Sequence, residues 1–251
     1  MTLFPLSIRE PYATLLMLLI GVWGALLVFA FVFGKPNPER TRHSVSWLLM
    51  GTSALLVAAA FIWWFTSAGR LAVVSLWLML GMAFSFLGDM ILADHVPYLT
   101  GTLPGMLSFS ITHVCYALAL SAIAAVMELS TTGLLLGVVL AYLAAGVVAW
   151  LFLVNAPSVK KVLRFGALGY VLLLAGMAGL ATALAFQSPA LAWFALGANL
   201  FLFSDILLGN QLFRRTNWPH VHDIVWVLYI TGQALIVFSN SSLGRLAGAA
   251  R

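Results

Sequence analysis

Two aspartates, Asp89 and Asp205, sit in runs that are otherwise apolar, GMAFSFLGDMILA at residues 81–93 and GANLFLFSDILLG at residues 197–209. An ionised side chain in the middle of a lipid-spanning helix costs ~2.5–3.5 kcal/mol on insertion scales, so such acids face a bundle interior and mark a site or a pathway. Two carboxyls that share a low-dielectric site cannot both ionise easily, so one keeps a proton while the other is charged. One residue type then supplies both an acid and a base. That division suits hydrolysis through an oxocarbenium-like cation: the protonated carboxyl delivers a proton, and the ionised one stabilises the cation or activates water. It also requires the two side chains to lie within ~10 Å of each other.

The elements that hold these acids are membrane spans. The chain has 251 residues, of which 63% are hydrophobic and 8% charged, against roughly half apolar and a quarter charged in soluble domains. Lipid is therefore the solvent for most of it. Apolar runs long enough to cross the ~30 Å hydrocarbon layer number eight, at 12–33, 46–67, 71–93, 104–127, 130–154, 162–186, 189–213 and 221–240. They are continuous, without the two-residue alternation of barrel strands, so the expected fold is an all-α integral membrane protein, one polytopic domain over 1–251. The first run is as long as a span and lacks a cleavage motif, which makes it a retained helix rather than a signal peptide.

The formal charge of +5 does not point to nucleic acid, because the Lys and Arg occupy short runs between spans and serve orientation. Arg9, Arg70, Arg245 and Arg251 fall on the terminal side; Lys35, Arg40, Arg42, Lys160, Lys161, Arg164, Arg214 and Arg215 fall on the other. The second side is expected to be cytoplasmic, in a plasma or bacterial inner membrane, with the site opening toward it. The single cysteine, Cys115, rules out an intramolecular disulfide. The sequence has no Gly-rich phosphate loop, no G-x-S-x-G elbow and no zinc-spaced Cys or His cluster. His220 and His222 point ~200° apart on a helix and cannot face one ion, so this segment reads as an interface anchor with Trp218. Two aspartates and a histidine are also too few hard ligands to read as a metal site.

Asp205 follows Asp89 by 116 residues, and the same offset carries His113 onto Tyr229. The spans thus read as two four-helix halves in parallel repeat, a plan that places sites between halves. On the fourth span Phe109, His113 and Tyr116 share a face, as do Tyr229 and Gln233 on the eighth. With Ser85, Ser204 and Tyr170 they surround the acids at similar depth. Asn199 lies ~120° around its helix from Asp205 and reads as an interhelical hydrogen bonder.

FSFLGDMIL, GMLSFSITHVCY, the stretch from Tyr170 to Met177, GANLFLFSDILL and YITGQALI occur in an order that resembles the YhhN-like lysoplasmalogenase family of eight-helix membrane hydrolases. Lys35-Pro36 stands where that family has a Lys-Pro before its second helix, although the charged run after it is longer. The resemblance implies cleavage of the vinyl ether bond of a lysoplasmalogen, a lysophospholipid held in the membrane, into a fatty aldehyde and a glycerophospho-head group. Asp89 and Asp205 would be the acid and base pair, without assignment of which is which. His113, Tyr229 and Gln233 would orient water, the partner acid or the head group, and Arg164 or Arg214 would attract the phosphate. No cofactor is required. A proton-coupled transporter, a lipid-moving protein or a hydrolase of another lysolipid bond would use the same acids, so these readings stay open.

Overall fold

The computed structural model describes residues 11–129, 133–157 and 159–243. Arg9, Arg245 and Arg251 of the charge balance, and residues 130–132 of the expected fifth span, lie outside them. Among the described residues eight helices, the fifth taken with its extension to Val154, are long and apolar enough to cross a membrane: α1 (Tyr12–Val32), α2 (Ser46–Thr66), α3 (Arg70–Leu92), α4 (Thr102–Val126), α5 (Gly133–Ala149), α6 (Lys161–Gln187), α7 (Ala192–Arg214) and α8 (Val221–Phe238). A π-helical segment, Trp150–Val154, extends α5, and a short 3-10 turn at Pro189–Leu191 leads into α7. The chain is an all-helical, multi-pass membrane protein, and its spans fall within two or three residues of the apolar runs. Helices are the open-chain solution here because each closes its own backbone hydrogen bonds in a medium that offers none.

The helices divide into an inner set and an outer pair. Only Leu16 and Ala30 are buried on α1 and only Gly146 on α5, so these two present apolar side chains such as Leu18, Val28, Leu136 and Leu140 to lipid. The core lies among the other six, where Leu78, Met82, Tyr116, Leu174, Phe194 and Phe201 are fully buried. In α3 and α4 the close approach is of ring on backbone: a Cβ at Gly88 would fall 2.7 Å from the Phe109 ring. In α7 and α8 it is of backbone on backbone, since a Cβ at Gly197 would lie 2.5 Å from the Gly232 carbonyl oxygen. Small residues that let helices touch are a general means of membrane-helix packing. The pairs related by the 116-residue offset are thus both closely packed, but through different contacts.

The loops after α1, α3, α5 and α7 gather at one end, which holds the eight basic residues from Lys35 to Arg215 set against Arg70 at the other end of the described residues. Two ties organise this end. Asp223, in the first turn of α8, accepts hydrogen bonds from the His43 amide (2.7 Å), the Ser44 amide (3.2 Å) and the Ser44 hydroxyl (2.7 Å). The backbone adds His220 N–H to the Arg40 carbonyl and His222 N–H to the Thr41 carbonyl, each 3.0 Å. The α1–α2 loop is therefore clamped to the start of α8, a specific role for residues 220–223 beside the interface anchoring expected of them. At the second tie, Arg214 donates to the carbonyls of Leu151 (3.3 Å) and Asn155 (3.0 Å), covering backbone acceptors around the π-helical segment.

Candidate active site

Asp89 lies one turn before the end of α3 and Asp205 more than two turns before the end of α7, both toward the basic end. They line one cavity of about 380 Å³ that also touches Tyr229, Trp226, Arg42, His222 and Asp94. A narrow second space of about 50 Å³ runs between α4, α6, α7 and the α5 extension, walled by Met106, Val154, Val171, Ile206 and Phe213. Asp205 borders both, with Phe109, Leu208 and Leu212 at the same junction. A chamber with both acids, Tyr229 and Arg42 in an otherwise largely apolar wall and an apolar slot thus meet at one carboxyl group.

Asp89 is held by hydroxyls. Its Oδ2 accepts from Ser53 of α2 (2.6 Å) and from Tyr229 of α8 (2.8 Å). Behind Tyr229 the bonds continue inward: Tyr116 donates to the Gln233 carbonyl oxygen (2.6 Å), the Gln233 amide donates to Ser85 (2.5 Å), and Ser85 meets Tyr229 (2.8 Å). Since Tyr229 gives its proton to Asp89, Ser85 donates to Tyr229, and every bond points the same way. Such chains polarise one another. Ser85, Tyr116 and Gln233 are completely buried and form no part of the cavity wall. Gly81 makes room for the Tyr116 ring against α3.

Asp205 has a different setting. Tyr170 of α6 bonds its Oδ2, and Ser204 reaches its Oδ1 (3.2 Å) while bonding the Phe201 carbonyl (2.8 Å). His113 stands one step further back, its Nε2 3.2 Å from the Tyr170 hydroxyl. The ring is buried among Tyr170 and Phe201, and its Nδ1 has no hydrogen-bond partner. His113 therefore reaches an acid only through Tyr170.

The residues expected around the acids are thus brought together, in two sets. Asp89, Asp205, Tyr229 and Tyr170 reach open space; Ser85, His113, Tyr116, Ser204 and Gln233 stand behind them. Ser53 had no signal in the sequence beyond being one hydroxyl among many in a span. Asn199 bonds Tyr142 (2.7 Å) and Thr182 (3.0 Å), joining α5, α6 and α7 away from either acid. Beyond the end of α3, Asp94 lines the cavity and His95 does not. Arg164 and Arg214 do not line it either: Arg214 covers carbonyls and Arg164 packs over Phe165. Arg42 occupies the place expected of them. Among the described residues no three His, Cys, Asp or Glu side chains gather as a metal site.

A family model, the YhhN family, matches residues 46–240, from the first residue of α2 through α8. The chain belongs to the YhhN family. Comparison with curated proteins and with solved structures returned no match. The YhhN match contains both acids and every side chain that bonds them, and it leaves α1 and Arg42 outside.

Proposed function

We propose that this YhhN-family membrane protein is a lipid hydrolase that cleaves the vinyl ether bond of a lysoplasmalogen, with Asp205 as proton donor and Asp89 as base. The observation that carries the reading is the position of Asp205, where the chamber shared with Asp89 meets an apolar slot. A single-chain amphiphile would set the first carbons of its alkenyl chain in the slot, which at about 50 Å³ takes only a few methylenes, with the rest of the chain extending beyond it, its head in the chamber and the bond between them at the acids.

The chemistry follows in balanced steps. Asp205 gives its proton to the alkene carbon remote from oxygen, forming an oxocarbenium ion beside the new carboxylate. Water adds to the oxygen-bearing carbon as Asp89 takes a proton from it, giving a hemiacetal. The hemiacetal hydroxyl proton returns to Asp205, the leaving glycerol oxygen takes the proton from Asp89, and a fatty aldehyde is released. Both acids end as they began. Asp89 suits the base role because it borders the chamber alone, where water would stand, whereas Asp205 also borders the slot, beside the alkene carbon to be protonated. General acid and base catalysis of this kind contributes ~10²–10⁴-fold. The basic residues in the loops at this end of the helices support placing the cavity on the cytoplasmic side.

The test uses purified protein in detergent with alkenyl and matched acyl lysolipids. The expected result is aldehyde from the alkenyl substrate alone, carrying one deuterium on its second carbon when the reaction runs in D2O. Absence of aldehyde from every vinyl ether lysolipid would refute the proposal.

A further inference from the structure

Gly209 stands inside α7, where alanine is the better helix former, so its missing side chain calls for a reason. Close approach of two backbones is not that reason. At Gly197 an added Cβ would meet the carbonyl oxygen of Gly232 in α8, whereas at Gly209 it would meet, among the described residues, only the side chain of Val154, 3.1 Å from Cγ2. What the bare backbone leaves at Gly209 is space. Gly209 and Val154 both line the apolar slot, and so do Asp205 and Phe213. Asp205, Gly209 and Phe213 follow one another at four-residue intervals on one face of α7, so Gly209 lies one turn, ~6 Å along the axis, from the acid.

Val154 is fixed opposite Gly209 by the π-helical segment to which it belongs. Trp150 and Val154 are its buried residues, while Leu151, Phe152 and Leu153 turn outward. The Asn155 N–H closes the wide turn on the Trp150 carbonyl (2.6 Å). From α7, the Asn210 amide donates to the Leu153 carbonyl (3.1 Å), and Arg214 donates to the carbonyls of Leu151 and Asn155. The Trp150 indole N–H donates to the Arg164 carbonyl of α6 (3.0 Å), and Val154 packs with Trp150, Ala167, Val171 and Phe213. Single π-turns of this kind are frequent at functional sites. Here the turn carries one wall of the slot, and α7 holds it in place with polar side chains next to the glycine.

Resting on the lipid-hydrolase reading for the bond that is cleaved, we propose that Gly209 and Val154 determine which chains the site accepts. Together they set the bore of the slot one turn from Asp205. A straight chain passes between them and continues beyond the slot. A chain branched near the ether does not pass, nor does a straight one once residue 209 carries a methyl group. A chain that ends short of Gly209 never meets the constriction.

Aldehyde release is measured on the full chain in detergent with two vinyl ether lysolipids that share a head group and carry a propenyl or a hexadecenyl chain. The readout is the long-to-short ratio of their kcat/KM values. Gly209→Ala lowers that ratio by about tenfold to hundredfold, the scale for one methyl group in a tight apolar pocket. Adding Val154→Ala removes the atoms that the new methyl meets, so the double variant returns the ratio to within a few-fold of wild type. An unchanged ratio in Gly209→Ala, as a purely structural glycine would give, or no recovery in the double variant, would overturn the proposal. Propyl and hexadecyl ether analogues, which have no alkene to protonate, are titrated by calorimetry in parallel. Absence of aldehyde from every vinyl ether substrate, with the binding ratio lowered by Gly209→Ala and restored in the double variant, removes the hydrolase and leaves the chain passage standing. Absence of aldehyde with an unshifted binding ratio removes both.

Discussion

Asp89 and Asp205 occupy offset-related places in α3 and α7, yet the protein furnishes them differently. Asp89 receives two hydroxyl donors on one oxygen and ends a line of hydrogen bonds that begins at Tyr116. Asp205 has its two donors on separate oxygens, and among the described residues the only group behind Tyr170 is a histidine with one nitrogen unpartnered. The residues that the offset equates have also parted: Tyr229 bonds an acid directly, while His113 is one residue removed. Like side chains at like positions acquire unlike roles from what donates to them.

The contrast can be broken experimentally. Asp89→Asn and Asp205→Asn should each lower kcat for aldehyde release by about 10³-fold or more, with lysolipid KM nearly unchanged; a residual rate in one variant within tenfold of wild type would remove that residue from the pair. Tyr170→Phe comes next, at about tenfold to hundredfold in kcat, because it takes away a direct partner of Asp205 and cuts off His113 at once. Tyr229→Phe and Ser53→Ala should each cost only several-fold, since the other hydroxyl still serves Asp89 Oδ2. Their double variant should lose more than the product of the two, and simple additivity in that cycle would show that the hydroxyls do not act on one charge. The smallest kinetic effect belongs to Gln233→Leu, within a few-fold in kcat. Its signature is a lower melting temperature in detergent, as the buried Ser85 and Tyr116 lose their partner at ~1–3 kcal/mol.

The helices could be read from the chain because an uninterrupted apolar run of span length has few structural alternatives in lipid. The acids stood out for the same reason, being polar where polarity is costly. Tyr229 and Gln233 were marked by their four-residue spacing on one helix face. Ser53 and Arg42 carried no such mark. A serine in a span is common, and its value here depends on α2 packing beside α3, which no local pattern reports. Arg42 is one of eight basic residues at its end of the protein, and only the clamp between Asp223 and the α1–α2 loop distinguishes it from Arg164 and Arg214. Long-range contacts of this kind arise from the fold and have no signature in composition or periodicity.

Phe201 is fully buried, with its ring centroid 5.1 Å from that of Tyr229 and 4.9 Å from that of His113. It stands between the hydrogen-bonded set of Asp89 and that of Asp205, and among the described residues no hydrogen bond joins the two sets. The ring therefore acts as an insulator. Protein groups alone do not pass a proton from one acid to the other, and whatever occupies the shared cavity, water or substrate, must close the connection.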